Sequence, residues 1–264
     1  LGYLLALSAL VVAFRSRAPR WPALVGGHAL AGLGVAALAT WGRPRPLREL
    51  YPLFVLPFAY EEIGWLVHLV WPRFLDPWVQ AAEVRLLGAV SNRYLEPLVR
   101  PWLTEYCKAS YFSYYLMVPV PALWLYLRGE RQECCRFLTR VSLALCASYL
   151  LFVLVPVAGP RFFLPPVELR GYWITRLQDA LTAMGALKGG AMPSSHVAVA
   201  FVFRDWASHR LPRLRPLWTF AALSLAASAV YTHDHYLLDV VAGALLGLAV
   251  PRLSRRGEER WPCA

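Results

Sequence analysis

No internal repeat, no low-complexity tract and no linker long enough to divide the chain occurs in this sequence. That excludes solenoid and tethered-domain architectures and leaves one domain over residues 1–264. The five cysteines, Cys107, Cys134, Cys135, Cys146 and Cys263, follow no metal-ligand spacing. Cys134 and Cys135 fall in a segment read as cytosolic, so neither a structural disulfide nor a metal centre is expected. Charge is sparse as well: 16% of residues are Asp, Glu, Lys or Arg against 58% hydrophobic. The hydrophobic residues come in blocks of about 15 to 20 separated by Arg-Pro clusters, the pattern of a polytopic membrane protein rather than a soluble one.

The apolar runs lie near Trp21 to Trp41, Tyr51 to Trp71, Ser110 to Leu127, Val141 to Ala158, His196 to Trp206, Leu217 to Tyr231 and Tyr236 to Val250. They predict six or seven spans in an all-α bundle. Leu1 to Phe14 is a further apolar stretch, but its arginines follow it rather than precede it, unlike a cleavable signal, so it reads as a partial or extra span.

The formal net charge of +11 sits in short clusters between runs, which the positive-inside rule explains better than nucleic-acid binding does. Arg128, Arg131, Arg136 and Arg140 mark one cytoplasmic loop, Arg210, Arg213 and Arg215 a second, and Arg252, Arg255, Arg256 and Arg260 the C-terminal tail. Arg43, Arg45 and Arg48 agree with that phase, whereas Arg15, Arg17 and Arg20 dissent. The segments around Gly159 to Ser195 and Thr232 to His235 then share the opposite, non-cytoplasmic face. Trp71 to Ser110 mixes charge with Leu, Val, Trp and Pro and reads as interfacial amphipathic helices on that outer surface. Within Arg161 to Met192, a helical piece from roughly Trp173 to Leu187 runs into the joint Lys188-Gly189-Gly190, an arrangement suited to a lid.

Two strings, Pro193-Ser194-Ser195-His196 and His235-Tyr236-Leu237-Leu238-Asp239, supply a full set of groups for phosphoryl transfer. Pro193 and the N-cap Ser194 open a helix whose first amides and positive dipole end suit a phosphate. His196 at its start is the candidate acid. His235 and Asp239 share a helical face, so the carboxylate can hold one ring nitrogen and leave the other to attack, making His235 the candidate nucleophile. An HxxxD string alone is common and more often structural; beside PSSH on one face it gains weight.

Other residues carry weaker signals. Glu61 and Glu62, beside Tyr60 in an apolar run, need a partner or an aqueous cavity, and are read either as substrate-pocket groups or as an ion pair with an arginine such as Arg161 or Arg170. His233 and Asp234 are secondary head-group candidates. His28, His68 and His209 read as structural. Gly243 and Gly247 form a small-xxx-small pair that lets another helix approach. Trp and Tyr near run ends read as interfacial anchors.

The two strings resemble the second and third signature motifs, PSGH and SRxxxxxHxxxD, of the phosphatidic acid phosphatase type 2 superfamily over roughly the C-terminal half. The resemblance implies a six-helix membrane core within roughly residues 110–252, metal-free catalysis without a cofactor, and a phospho-histidine on His235. Asp239 would orient His235, His196 would protonate the leaving group, and Arg161, Ser194 and Ser195 would hold the phosphate. The first family motif, KxxxxxxRP, is met only in part: Arg161 precedes Phe162, and its lysine position is Leu154. Ser228 is followed by Ala229 where the third motif has arginine, and Ser195 replaces the glycine of the second.

The strings Gly159-Pro160-Arg161-Phe162-Phe163 and Tyr231-Thr232-His233-Asp234-His235-Tyr236 resemble the inositol phosphorylceramide synthase branch. That branch implies a phosphorylated head group moved from a phospholipid donor to a lipid hydroxyl, with Tyr231, His233 and Asp234 near the head group. A lipid phosphate phosphatase, which passes the same intermediate to water, is the alternative; a noncatalytic lipid-binding or transport protein is the second. The expected location is a bacterial inner membrane, with the site facing away from the cytoplasm.

Overall fold

A computed structural model describes residues 1–41, 45–185 and 187–258. Arg43, Arg260 and Cys263, named above, lie outside the described residues. In chain order the helices are α1 (Gly2–Ala13), α2 (Trp21–Trp41), α3 (Arg45–Leu50), α4 (Pro52–Leu66), α5 (Asp76–Leu87), α6 (Ser91–Leu95), α7 (Pro101–Phe112), α8 (Tyr114–Met117), α9 (Pro119–Leu127), α10 (Arg131–Leu154), α11 (Pro160–Phe163), α12 (Trp173–Gly185), α13 (Ser195–Arg210), α14 (Arg215–Tyr231) and α15 (Leu237–Glu258). Among the described residues there is no strand beyond an isolated bridge between Val157 and Gly190.

The element ends follow local chemistry. Pro52, Pro101 and Pro119 stand at the first turns of their helices, where a missing N–H costs nothing. Pro119 also parts α8 from α9, because proline cannot bond to the preceding turn; with a second break at Ser113, the run from Ser110 to Leu127 becomes the end of α7, α8 and α9 instead of one span. Helix α10 starts ten residues before the predicted run and stops at Leu154, since Pro156 drives Val155 out of helical geometry. Among the described residues three helices are long and apolar enough to cross a membrane, over Trp21–Leu38, Arg131–Leu154 and Leu237–Ser254, fewer than the six or seven runs. The others are short: α4, α13 and α14 have 15, 16 and 17 residues, about 22–26 Å at 1.5 Å per residue against a hydrocarbon core of about 30 Å.

The fold is an all-α, polytopic membrane bundle. Helix α13 lies at its centre, packed on α15, α14, α10 and α8; α10 packs in turn on α4 and α9. These elements form the core, with α8 and α9 as one broken member and α4 contributed from outside residues 110–252. Phe58 and Trp65 on α4, Leu30 and Leu33 on α2, Phe220 on α14 and Leu245 on α15 are exposed, as side chains bathed by lipid can be. The N-terminal pair is attached by a polar clamp: Ser8 Oγ lies 2.7 Å from His28 Nδ1, and His28 Nε2 lies 2.7 Å from Glu62 Oε1. It links α1, α2 and α4.

Two of the arginine-rich loops gather at one end, whereas Arg17 of the dissenting N-terminal cluster bonds the Leu69 and Val70 carbonyls near the other. Arg131 bonds Glu49 at 2.6 Å, and Arg210 bonds Glu130 at 2.5 Å. Helices α10 and α13 each run from that end to the other, where Ala191 N donates to Val157 O at 2.9 Å. The two signature strings therefore meet at the end opposite these arginines.

Gly243 and Gly247 do admit a close neighbour. A Cβ at either would lie 2.3 Å from a backbone oxygen of α13 or its cap, Ser194 O and Ala198 O respectively. Backbone cannot retreat as a side-chain tip can, so Gly247→Ala should cost about 1–3 kcal/mol by overpacking. Thermal unfolding in detergent checks this, and an unchanged midpoint would contradict so close an approach.

Candidate active site

The start of α13 and the turn before α15 are fastened together. Ser194 N donates to Asp239 O at 2.9 Å, and the Ser194 hydroxyl caps α13 by accepting from Val197 N at 3.4 Å. The amides of Ser195 and His196, in the first helical turn, are left free of intrahelical partners. Ser194 is fully buried and serves as the cap, while Ser195 and His196 line a cavity of about 410 Å³ together with Arg161, Asp234 and His235.

His235 lies in the turn between α14 and α15. Its Nδ1 lies 3.0 Å from Ala191 O, a carbonyl that can only accept, so Nδ1 carries the proton and Nε2 presents its lone pair. Asp239 Oδ2 is 3.7 Å from Nδ1, beyond hydrogen-bond reach, and instead accepts from Tyr236 N at 2.8 Å. The direct holder of the ring is thus the Ala191 carbonyl, and Asp239 acts at one remove, by fixing the turn and placing a carboxylate behind the ring. Burial, with Arg161 adding its positive field and the Ala191 carbonyl opposing, holds His235 down at about 4. The imidazole is therefore neutral, and Nε2 unprotonated, at neutral pH.

His196 stands with its ring centroid 6.1 Å from that of His235, close enough for both to face one phosphorus. Its ring is stacked on Tyr111 at 4.7 Å and lies against Tyr114 at 4.1 Å. Arg161 is ion-paired with Asp234, and its amide donates to His233 O at 3.0 Å. Asp234 also accepts from Thr232 Oγ1 at 2.5 Å. Gly159 holds this junction: its φ of +101° and the 2.8 Å from a Cβ there to Asp234 O exclude a side chain.

The remaining candidates fall elsewhere. Glu61 is exposed and Glu62 is engaged with His28; neither lines the cavity, and neither pairs with Arg161 or Arg170. Tyr60, beside them, does line it. His233 is buried with a φ of 59° and offers its backbone oxygen, not its ring, to the site. Tyr231 points away, its hydroxyl 2.9 Å from Thr104 Oγ1.

Several contributors escaped sequence reasoning. Tyr60, Tyr111, Tyr114, Tyr115 and Tyr149 line the cavity with Leu53, Leu56, Val118 and Leu145. The stretch read as interfacial helices turns its polar groups inward. Asp76, fully buried, accepts from the Ala158 and Gly159 amides at 2.8 Å each. Glu83 accepts from Ser91 N at 2.8 Å and Leu238 N at 3.0 Å, and Ser91 Oγ accepts from Leu237 N at 3.1 Å. Asn92 donates to Val230 O and His235 O. These groups satisfy the free amides at the start of α15 and so hold the turn that carries His235. The weak signal was the acidic pair Asp76 and Glu83, seven residues apart and too costly to bury unpartnered.

The helix expected over the Arg161 to Met192 loop is α12, and it is anchored rather than free. Glu105 accepts from the Tyr172, Ile174 and Thr175 amides and from the Thr175 hydroxyl, and Lys108 Nζ lies 2.7 Å from Asp179 Oδ1. Leu181 and Thr182 of α12 line the cavity.

A sequence model described as the PAP2 superfamily matches residues 77–253, more than half of the chain and the whole of the polar scaffold from Glu83 to Asp239. Comparison with curated proteins and with solved structures gave no match. The chain belongs to the PAP2 superfamily, as an integral-membrane protein of the lipid phosphatase and phosphotransferase type.

Proposed function

We propose that the protein is a lipid phosphotransferase that moves a phosphorylated head group from a phospholipid to a lipid hydroxyl, in the manner of the inositol phosphorylceramide synthase branch. In the first step Nε2 of His235 attacks phosphorus, the bond to the diacylglycerol oxygen breaks, and that oxygen takes a proton from His196. In the second, the acceptor hydroxyl gives its proton to His196, its oxygen attacks phosphorus, and the bond to Nε2 breaks. Arg161 and the amides of Ser195 and His196 hold the non-bridging oxygens, with Ser194 as their cap. Asp239 keeps the His235 turn in place.

The observation that carries this choice is the cavity's charge. Among the described lining residues Arg161 is the one permanent cation, already neutralised by Asp234, and His196 in its acid form adds a single charge. A phosphomonoester brings about −1.5 to −2 at pH 7, a second charge with no partner in a mostly apolar chamber, and an unpaired buried charge is costly. A phosphodiester brings a single negative charge, which the helix amides and a shared Arg161 can match. Water as acceptor gives the phosphatase alternative by the same intermediate; nothing in the cavity favours a purely binding role.

Reconstituted protein supplied with phosphodiester lipids, with and without ceramide or diacylglycerol, tests the choice by mass spectrometry. Acceptor-dependent lipid products are expected. Equal release of phosphorylated head group with and without acceptor makes the protein a hydrolase, and no turnover of any donor supports the noncatalytic reading. The site's position, opposite the arginine-rich end of the bundle, supports a non-cytoplasmic active site, and we place the protein in a bacterial inner membrane.

A further inference from the structure

We infer that Tyr111 is a third catalytic group, whose phenol donates a hydrogen bond first to the nucleophilic nitrogen and then to a non-bridging oxygen of the transferring phosphoryl group. The inference rests on the reading of His235 as nucleophile. It deepens that reading by naming a residue outside both signature strings.

Four observations converge on it. The Tyr111 hydroxyl lies 3.3 Å from His235 Nε2, the nitrogen left with a lone pair once Nδ1 donates to Ala191. The phenol is therefore the donor in that contact. The Tyr111 ring lies nearly parallel to His196, 23° between planes, so one side chain touches both imidazoles, whose centroids lie 6.1 Å apart. Tyr111 is buried, 6% exposed, yet lines the cavity. Finally, the cavity's only described permanent cation is shared with Asp234, so a neutral donor aimed at the reacting centre supplies what a second such cation would.

When phosphorus bonds to Nε2, the nitrogen can no longer accept. The phenol hydrogen then turns to the nearest new acceptor, an oxygen on that phosphorus. No bond to Tyr111 forms or breaks; its hydrogen bond simply changes partner as negative charge collects on those oxygens, the situation in which a preorganised donor is most effective.

The test compares Tyr111→Phe, Tyr106→Phe and His235→Asn in the same reconstituted assay. Tyr111→Phe keeps the ring against His196 and removes only the hydroxyl. It should lower kcat by about 10²-fold, leave KM within about 3-fold and leave the unfolding midpoint unchanged. Tyr106→Phe, which removes a hydroxyl of the same helix that lies outside the cavity, 2.7 Å from Ser224 Oγ, should stay within about 3-fold of wild type. Wild-type kcat in Tyr111→Phe, with His235→Asn inactive, overturns the role of Tyr111 alone. Equal losses in the two tyrosine variants also overturn it, because the loss would then not depend on a hydroxyl aimed at His235. An active His235→Asn overturns the nucleophile reading itself.

Discussion

His235→Asn is expected to lower turnover by about 10⁴-fold or more, because a nucleophile and the groups that serve it act as a unit. Asparagine preserves a polar side chain of similar reach toward Ala191 O but offers no ring nitrogen to attack phosphorus. The site is built around that nitrogen: Ala191 fixes the tautomer, Asn92 holds the backbone of the turn, and Glu83 and Ser91 cap the helix that follows. An acid-labile phosphoprotein should form in wild type on mixing with donor lipid and be missing from the variant. Activity above about one per cent of wild type would remove His235 as the nucleophile.

The same residue sets an acid limit. With His235 held at about 4 by burial, protonation, which blocks attack, begins well below the usual histidine range near 6.5. For a phosphodiester donor, which does not titrate there, the limb of kcat/KM assigned to His235 should fall by half near pH 4 rather than near pH 6.5. Folding follows the same sign. The unfolded histidine takes up a proton near pH 6.5 and the folded one only near pH 4, so this group's stabilisation is complete above pH 6.5 and is lost as pH falls toward 4. A half-loss near pH 6.5 that is unaffected by enzyme stability would show the ring to be solvated in the working enzyme.

The second large effect belongs to His196. Its replacement by asparagine should slow transfer from natural lipids by about 10²–10⁴-fold, the usual worth of a positioned acid. On the proposed mechanism the diacylglycerol oxygen leaves poorly without a proton, and His196 is the other imidazole lining the cavity. Replacement of the lipid alcohol by a good leaving group, as in an aryl phosphodiester, should restore most of the first step. A variant equally slow on both donors would show that His196 acts by holding Tyr111 and Tyr114 in place, not by donating a proton.

Much of this was legible in the chain. PSSH announces a helix opening by local capping chemistry, and Ser194 is that cap. Apolar runs locate the long helices, and the Gly243 and Gly247 spacing marks the face where α15 meets α13. All of these depend on neighbours within a turn or two, or on a period along one helix. The span count was less legible, because a hydropathy run does not say where proline will cut it: the segment from Ser110 to Leu127 becomes three helices, and Val141 to Ala158 shifts to Arg131–Leu154.

What the sequence by itself determined was a membrane bundle and the two strings that carry the imidazoles. Only the tertiary structure decided which atoms those imidazoles face. Ala191 O, 44 residues from His235, accepts the ring N–H hydrogen bond expected to go to Asp239. Glu62 turns to His28 on another helix rather than to the cavity, and Tyr60, Tyr111, Tyr114 and Tyr149 come from four different helices to line it. The physical reason is range: caps, turns and periodicity are set by residues a few positions apart, whereas a cavity wall and a buried hydrogen bond exist only once distant helices have packed, and packing chooses among many partners that the chain alone leaves equivalent.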